Sequence, residues 1–323
     1  MNLGFWQNLK KPIMVLAPMA DVTDAAFRRV IAKYGKPDVT WTEFVSADGL
    51  VLAPEAGRKK LLRDLIYTEA ERPIVAQLFT SNPERMKKAA ALVRELGFDG
   101  LDINMGCPDK SIEKQGAGAA MIKNPKQARE VIRAAKEGAG PLPVSVKTRV
   151  GFNKVELEEW LPELLAEEPA VVIIHARTRK EMSKVPARWE HVKRAVEIRD
   201  SLKSQTLIFG NGDVVDIADA KAKAAETGAD GIMLGRAIFG NPWLFSKTAS
   251  RDSIPAKERL GVMLEHAKLF EELLGDIKSF AIMKKHFKAY VTGFDGSVEL
   301  RAKLMEASNA DDVDKLVGYF NGL

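Results

Sequence analysis

Eight short apolar runs, separated by stretches of helical period, constrain this chain more than any other feature. They fall at 13–16, 39–42, 74–79, 100–103, 144–148, 171–174, 207–209 and 231–234. Each is expected as a strand buried on both faces. Helical patterns lie between them at 24–34, 83–96, 125–137, 157–165, 189–201 and 215–227. Pro83 and Pro125 suit first helical turns behind Asn82 and Asn124 as caps, and Gly97 and Gly228 follow helix ends. Eight strands alternating with helices predict an α/β chain built as a (β/α)8 barrel. A doubly wound sheet competes, but the turn after the first run reads LAPMAD rather than GxGxxG.

Beyond Pro255 the pattern changes to helices alone, at 257–274, 278–292, 298–307 and 311–320. The expected organisation is a barrel domain over 1–246, a linker at 247–255 and a small helical domain over 256–323. At 323 residues and 46% hydrophobic content the chain can fill such a core. No apolar run reaches the roughly 18 residues that span a bilayer. The opening MNLGFWQNLKKPIM has no long apolar segment, so no signal peptide is expected. A single cysteine excludes an internal disulfide, and a cytoplasmic, monomeric protein with no protein partner is expected.

The formal charge of +5 points weakly to a polyanionic partner. The excess is uneven: residues 251–323 hold 11 Lys and Arg against 12 Asp and Glu, leaving 38 against 32 in the first 250. Any nucleic-acid surface must therefore come from local clustering.

A barrel places its site at the C-terminal ends of its strands. There the sequence offers Pro18, Met19 and Ala20 after the first strand and Glu43 after the second. Gln77 lies on the third, Asn104 and Cys107 after the fourth, and Lys147 and Arg149 on and beyond the fifth. His175 and Arg177 follow the sixth, Asn211, Gly212 and Asp213 the seventh, and Gly235 and Arg236 the eighth. The last two loops suit a phosphate, bound by glycine amides and the Arg236 guanidinium; tight turns alone would also use those glycines. Lys147 reads as a Schiff-base nucleophile, a phosphate ligand or an electrostatic partner for an electron-rich cofactor. His175 reads as a ligand or as a satisfied structural group. Cys107 has three readings: an inert buried group, a nucleophile with a lowered pKa, or a general acid that keeps its proton at neutral pH. No Cys/His cluster has metal-ligand spacing, so no metal is expected.

In ordered combination these stretches resemble the dihydrouridine synthase family of flavoenzymes, which reduce uridine in tRNA. The resemblance is carried by APMADVTDAAFR, AQLF, DINMGCPDKSIEKQGAGAAM, SVKTRVGF, HARTR, GNGDV and GADGIMLGRAIFGNPWLF, followed by the tail FAIMKKHFKAYVTGFDGSVELRAKL. It implies FMN at the barrel mouth, with Pro18, Met19 and Ala20 at its ring system and Gln77 and Lys147 at its polar edge. His175, Asn211, Gly212, Asp213, Gly235 and Arg236 would continue toward its phosphate. Cys107 would be the catalytic acid, NADPH or NADH the reductant, and Asn104, Arg149 and Arg177 would hold the target uracil. The tail would bind tRNA through Lys278, Lys285 and Lys288, spaced by seven and three on one helical face.

One loop departs from the family pattern. After HARTR a tyrosine and then a glycine are expected, where this chain has Ser183 and Val185, with Arg188 where an acid is common. The modified position and the RNA class, tRNA or rRNA, are left open by that change. An FMN barrel acting on a small molecule and a non-catalytic RNA-binding protein are the other readings. The helical tail argues against the former, and the intact Cys107, Lys147 and glycine loops against the latter.

Overall fold

The computed structural model describes residues 2–321. The outermost residues of the two expected domains, 1 and 322–323, lie outside the described residues. Eight parallel strands form one curled sheet: β1 Ile13–Leu16, β2 Thr40–Ser46, β3 Ile74–Phe79, β4 Gly100–Met105, β5 Val144–Arg149, β6 Val171–His175, β7 Leu207–Asn211 and β8 Gly231–Leu234. The order is β1-β8-β7-β6-β5-β4-β3-β2, and a single bridge, Val15 to Val39, joins the two ends. This is the expected (β/α)8 architecture.

Helices wrap the sheet: α1 Ala25–Tyr34, α2 Ala47–Leu52, α3 Glu55–Arg63, α4 Pro83–Glu95, α5 Lys110–Glu113, α6 Pro125–Ala139, α7 Leu157–Leu165, α8 Glu190–Ser201 and α9 Ile217–Thr227. The expected caps form: Asn82 accepts from the Arg85 N–H and Asn124 from the Gln127 N–H. Helices α2 and α3 were not foreseen from the sequence. Helix α3 has no fully buried residue, so it lacks the apolar stripe that announces the others.

Side-chain alternation along the strands decides what the barrel can do. On β4, Leu101, Ile103 and Met105 face the helices, while Asp102 and Asn104 occupy the opposite face. On β5, Val144 and Val146 face out, and Ser145 and Lys147 alternate with them. The lower interior is apolar: Ile13, Val15, Val39, Trp41, Val75, Val171, Ile173, Phe209 and Met233 pack with Trp6. Trp6 comes from the 3-10 turn Gly4–Asn8 and meets Phe209 edge-on at 5.5 Å. The polar strand-end residues Arg149, His175 and Asn211 stand at the opposite end.

After β8 the chain is helical: α10 Ala256–Leu274, α11 Met283–Tyr290, α12 Ser297–Leu304 and α13 Ala310–Asn321. Their apolar faces share one continuous core with α1, through Phe27, Ile31, Met263, Phe270, Phe287 and Tyr290. The stretch at 247–255 carries a one-turn helix, Arg251–Ser253, and Arg251 donates to the Gly240 carbonyl at 3.1 Å and the Thr292 hydroxyl at 2.5 Å.

Two histidines sit inside this junction. The His266 and His286 rings lie 4.6 Å apart, with Phe27 stacked on His266 at 4.8 Å. None of their four ring nitrogens has a hydrogen-bond partner among the described residues. Burial first, then nearby Lys285, presses the His286 pKa down to about 3, and burial pushes that of His266 well below its ordinary value. Such groups stabilise the fold above the unfolded-state pKa and lose that contribution as pH falls toward the folded value. Wild type is expected to lose roughly 2 kcal/mol through His286 between pH 6.5 and 5. A His286→Leu variant should therefore show a flatter dependence, read from urea midpoints across that range. Parallel wild-type and variant curves would remove His286 as the cause.

Candidate active site

The strand ends converge on a cavity of about 280 Å³ at the C-terminal mouth of the barrel. Pro18, Met19, Lys147, His175, Arg177, Asn211, Gly212, Asp213, Gly235 and Arg236 line it, together with Ala17, Ser183 and Val214. Of the residues expected in a site, this brings ten around one space. Ala20, Gln77, Asn104, Cys107 and Arg149 are not among its lining residues.

Arg149, His175 and Asn211 are the last residues of β5, β6 and β7 and neighbours in the ladder. The Lys147 ammonium, two residues below Arg149, donates to Asn211 Oδ1 at 3.3 Å, and Asn211 donates to the Met233 carbonyl at 2.8 Å. Burial and then the Arg149 guanidinium press the Lys147 pKa down to about 8, while Asp102 and Cys107 pull it back up. Lysine thus remains mostly protonated at neutral pH. Burial holds His175 neutral, with the cations Lys147, Arg149 and Arg177 acting the same way. Its Nε2 lies 3.2 Å from an Arg177 guanidinium nitrogen, so Nε2 accepts and Nδ1 carries the proton.

Asp213 braces the rim. It takes Arg177 and, at 2.5 Å, Arg236, and accepts from the Ala187 N–H at 2.8 Å. Gly210 and Gly212 are required by packing. A Cβ on Gly210 would stand 2.3 Å from the Trp189 ring, and one on Gly212, at φ +131°, would stand 2.7 Å from Ala187. Trp189 completes the turn by donating Nε1–H to the Gly212 carbonyl at 3.0 Å.

Cys107 lies on the loop between β4 and α5. Asn104 holds that loop: its Oδ1 accepts from the Gly106 N–H at 3.1 Å and the Cys107 N–H at 2.9 Å. Arg149 ties it to the loop after β6, donating to the carbonyls of Gly106 at 2.7 Å and of Thr178 and Met182 at 3.2 Å each. Arg179 clamps Glu113 of α5 with two donors. Burial pushes the Cys107 thiol above its ordinary pKa; the Asp109 N–H and the cations Arg149 and Lys147 oppose it. Lys147 and Cys107 are close enough that each shifts the other's proton affinity.

Asp102, Ser145, Trp189, Arg179 and Glu113 were not expected as site residues. Asp102 had a visible signal, an acid inside an apolar run. The divergent loop bears on the site directly, since Ser183 lines the cavity and the Val185 carbonyl accepts from Arg177 at 2.6 Å. Among the described residues no cluster of His, Cys, Asp or Glu is arranged to hold a metal, and no helix is long and apolar enough to cross a membrane.

One expectation is corrected. Lys278 does not share a helical face with Lys285 and Lys288, because the chain breaks before α11 and forms a separate 3-10 turn, Phe280–Ile282. Its ammonium is drawn inward by opposite charge, donating to Glu43 at 2.8 Å and pairing with Asp64 at 2.9 Å. Lys285 and Lys288 are exposed on α11.

The family profile of dihydrouridine synthase matches residues 15–319. The probable tRNA-dihydrouridine synthase 2 of Bacillus subtilis (strain 168) is 42% identical over 322 residues, covering 99% of this chain and 97% of that protein. A probable tRNA-dihydrouridine synthase of Staphylococcus epidermidis is 39% identical over the same span, with the same coverage. Among solved structures, 6-hydroxypseudooxynicotine amine oxidase from Pseudomonas geniculata N1 superposes with TM-score 0.56 at 13% identity, over 82% of this chain and 53% of that one. Histamine dehydrogenase from Rhizobium sp. 4-9 gives 0.54 at 14%, over 79% and 48%. This chain spans about half the length of those two, and the likeness is one of fold. With nearly its whole length matched by the family profile, the chain belongs to the dihydrouridine synthase family.

Proposed function

We propose that this protein reduces the C5=C6 bond of uridines in tRNA to 5,6-dihydrouridine, with FMN as resident cofactor and NADPH or NADH as reductant. The observation that carries the reading is a half-buried thiol, held by Asn104 on the loop after β4, beside a cationic, glycine-edged cavity at the strand ends. The printed names of the relatives supply the substrate.

The cavity's donor set suits FMN. Pro18 and Met19 give an apolar wall, and Ala20 continues that turn. A Cβ on Gly235 would stand 3.7 Å from Ala17 and Met19, so this edge has ordinary room. Lys147, His175, Asn211, Gly212 and Arg236 would hold the group, with Asp213 orienting Arg236. When bound, FMN supplies the hydride that adds at C6 of uracil. Cys107 then gives its proton to C5, and charge building toward O4 is relieved as that bond forms. Lys147 contributes positive charge at the cavity floor. Asn104, Arg149 and Arg177 shape the uracil side, and Gln77 keeps one N–H beyond its bond to Asp102 for the polar edge of FMN. The target base must leave its stack to reach this depth.

Residues 1–246 would form the catalytic unit and 256–323 the RNA-binding unit, joined by 247–255. Charge reversal at both Lys285 and Lys288 is expected to weaken tRNA binding and flatten its salt dependence, measured by titration at several salt concentrations. An unchanged slope would move the RNA surface elsewhere. The reading as a whole is tested by mass spectrometric mapping of tRNA from a deletion strain, where at least one dihydrouridine should revert to uridine. Loss from rRNA with tRNA unchanged would redirect the RNA class.

A further inference from the structure

We propose that Asp102 is a positioning residue, which fixes the Cys107 loop through the side-chain amides of Gln77 and Asn104. Its bearing on catalysis rests on the uridine reduction proposed above. Gln77, Asp102 and Ser145 are side by side in the ladder on β3, β4 and β5, and all three are buried. One Asp102 oxygen accepts from Ser145 Oγ at 2.5 Å and the other from Gln77 Nε2 at 2.6 Å.

An ionised carboxylate only accepts, so the nitrogen of Gln77 must face it. That turns Gln77 Oε1 toward Asn104, which donates Nδ2–H to it at 3.0 Å. The Asn104 oxygen is then left facing the loop, where it accepts from the Gly106 and Cys107 N–H groups. Reversing either amide would set donor against donor somewhere along the row. A choice of orientation made at one buried carboxylate therefore ends at the backbone of the proton-donating residue. The same chain leaves each amide one N–H beyond its internal bonds.

Asp102 also lies close enough to Lys147 to raise that lysine's proton affinity. A charge role and an orientation role are separable by substitution. In Asp102→Asn the amide oxygen can still take Gln77, and its NH₂ can donate to the Ser145 hydroxyl, which accepts as readily as it donates. The chain survives and the charge is lost. In Asp102→Ala the chain is broken at its origin.

The test is the rate of Cys107 alkylation by iodoacetamide across pH on the full-length protein, with circular dichroism as a check of fold. Cys107 is the sole cysteine, so the signal has one source. Asp102→Ala should free the loop, bring the thiol pKa back toward its ordinary value and raise the rate at pH 7.5 by about fivefold or more. Asp102→Asn should stay within about twofold of wild type, as a rescue by the conservative variant. Asn104→Ala should reproduce the alanine effect, and the double variant should add nothing to it. A wild-type rate in folded Asp102→Ala, or equal acceleration by alanine and asparagine, overturns the proposal. Should Asp102→Ala not fold, Gln77→Met breaks the chain one link on and carries the same two outcomes. Alkylation needs neither RNA nor turnover, so failure of the uridine-reductase reading, seen in tRNA mapping of the wild type, is distinguishable from failure here.

Discussion

Replacing Cys107 with alanine is expected to cut dihydrouridine formation in tRNA by about 10²–10⁴-fold, the usual contribution of a positioned general acid. NADPH oxidation with molecular oxygen as acceptor should stay near wild type, because that half of the cycle needs no proton on a pyrimidine carbon. The environment of the thiol decides between its possible roles. A nucleophile would want positive charge and a lowered pKa. Here burial dominates and raises it, and the opposing N–H of Asp109 and cations Arg149 and Lys147 do not reverse the direction. The group therefore arrives with its proton, held on a loop whose backbone is fixed by Asn104 and Arg149. Cys107→Ser tests the same point by chemistry instead of deletion. A hydroxyl holds its proton far more tightly than a thiol, so serine should fall with alanine. Turnover within tenfold of wild type in both variants would place the proton donor on another residue.

The barrel was legible because parallel strands covered on both faces read as isolated apolar runs. Their C-terminal bounds were read short for a reason tied to function. Strands β4 to β7 continue past the apolar run through Asn104, Arg149, His175 and Asn211, whose polar side chains end the pattern while their backbones keep the ladder. The residues around the cavity were therefore found one strand end at a time. What escaped was contact between segments far apart in the chain. Asp102 stood out as an acid among apolar neighbours, yet its partners Gln77 and Ser145 lie 25 and 43 residues away. Lys278 was misplaced for the same reason. Its spacing to Lys285 and Lys288 imitated one helical face, while the carboxylates that hold it lie more than 200 residues upstream.

Those carboxylates give Lys278→Met a large expected effect on stability. The ammonium is 2.8 Å from Glu43, 2.9 Å from Asp64 and 3.9 Å from Asp21, and it joins the segment between α10 and α11 to the barrel. Burial above all raises the Glu43 pKa, and Lys278 is the main group lowering it again. Asp24, the cap of α1, is raised to about 7 by burial and then by Glu43. Methionine keeps most of the stem and removes the charge, leaving Glu43 buried beside Asp64 without a counter-ion. The expected loss is about 3 kcal/mol at pH 8, at the low end for breaking a buried pair because Asp64 is partly exposed. The pH dependence has a definite sign. A carboxylate whose folded pKa is raised contributes stability below its unfolded value and loses it as pH rises through the folded one. Without the lysine the folded pKa of Glu43 moves further up, so the defect should shrink at pH 5, where protonation relieves the unpaired charge, and grow toward pH 8. Urea midpoints of wild type and variant at the two pH values measure this. An equal defect at both would assign the loss to packing of the lysine stem, and an exposed control, Lys288→Met, should change neither midpoint.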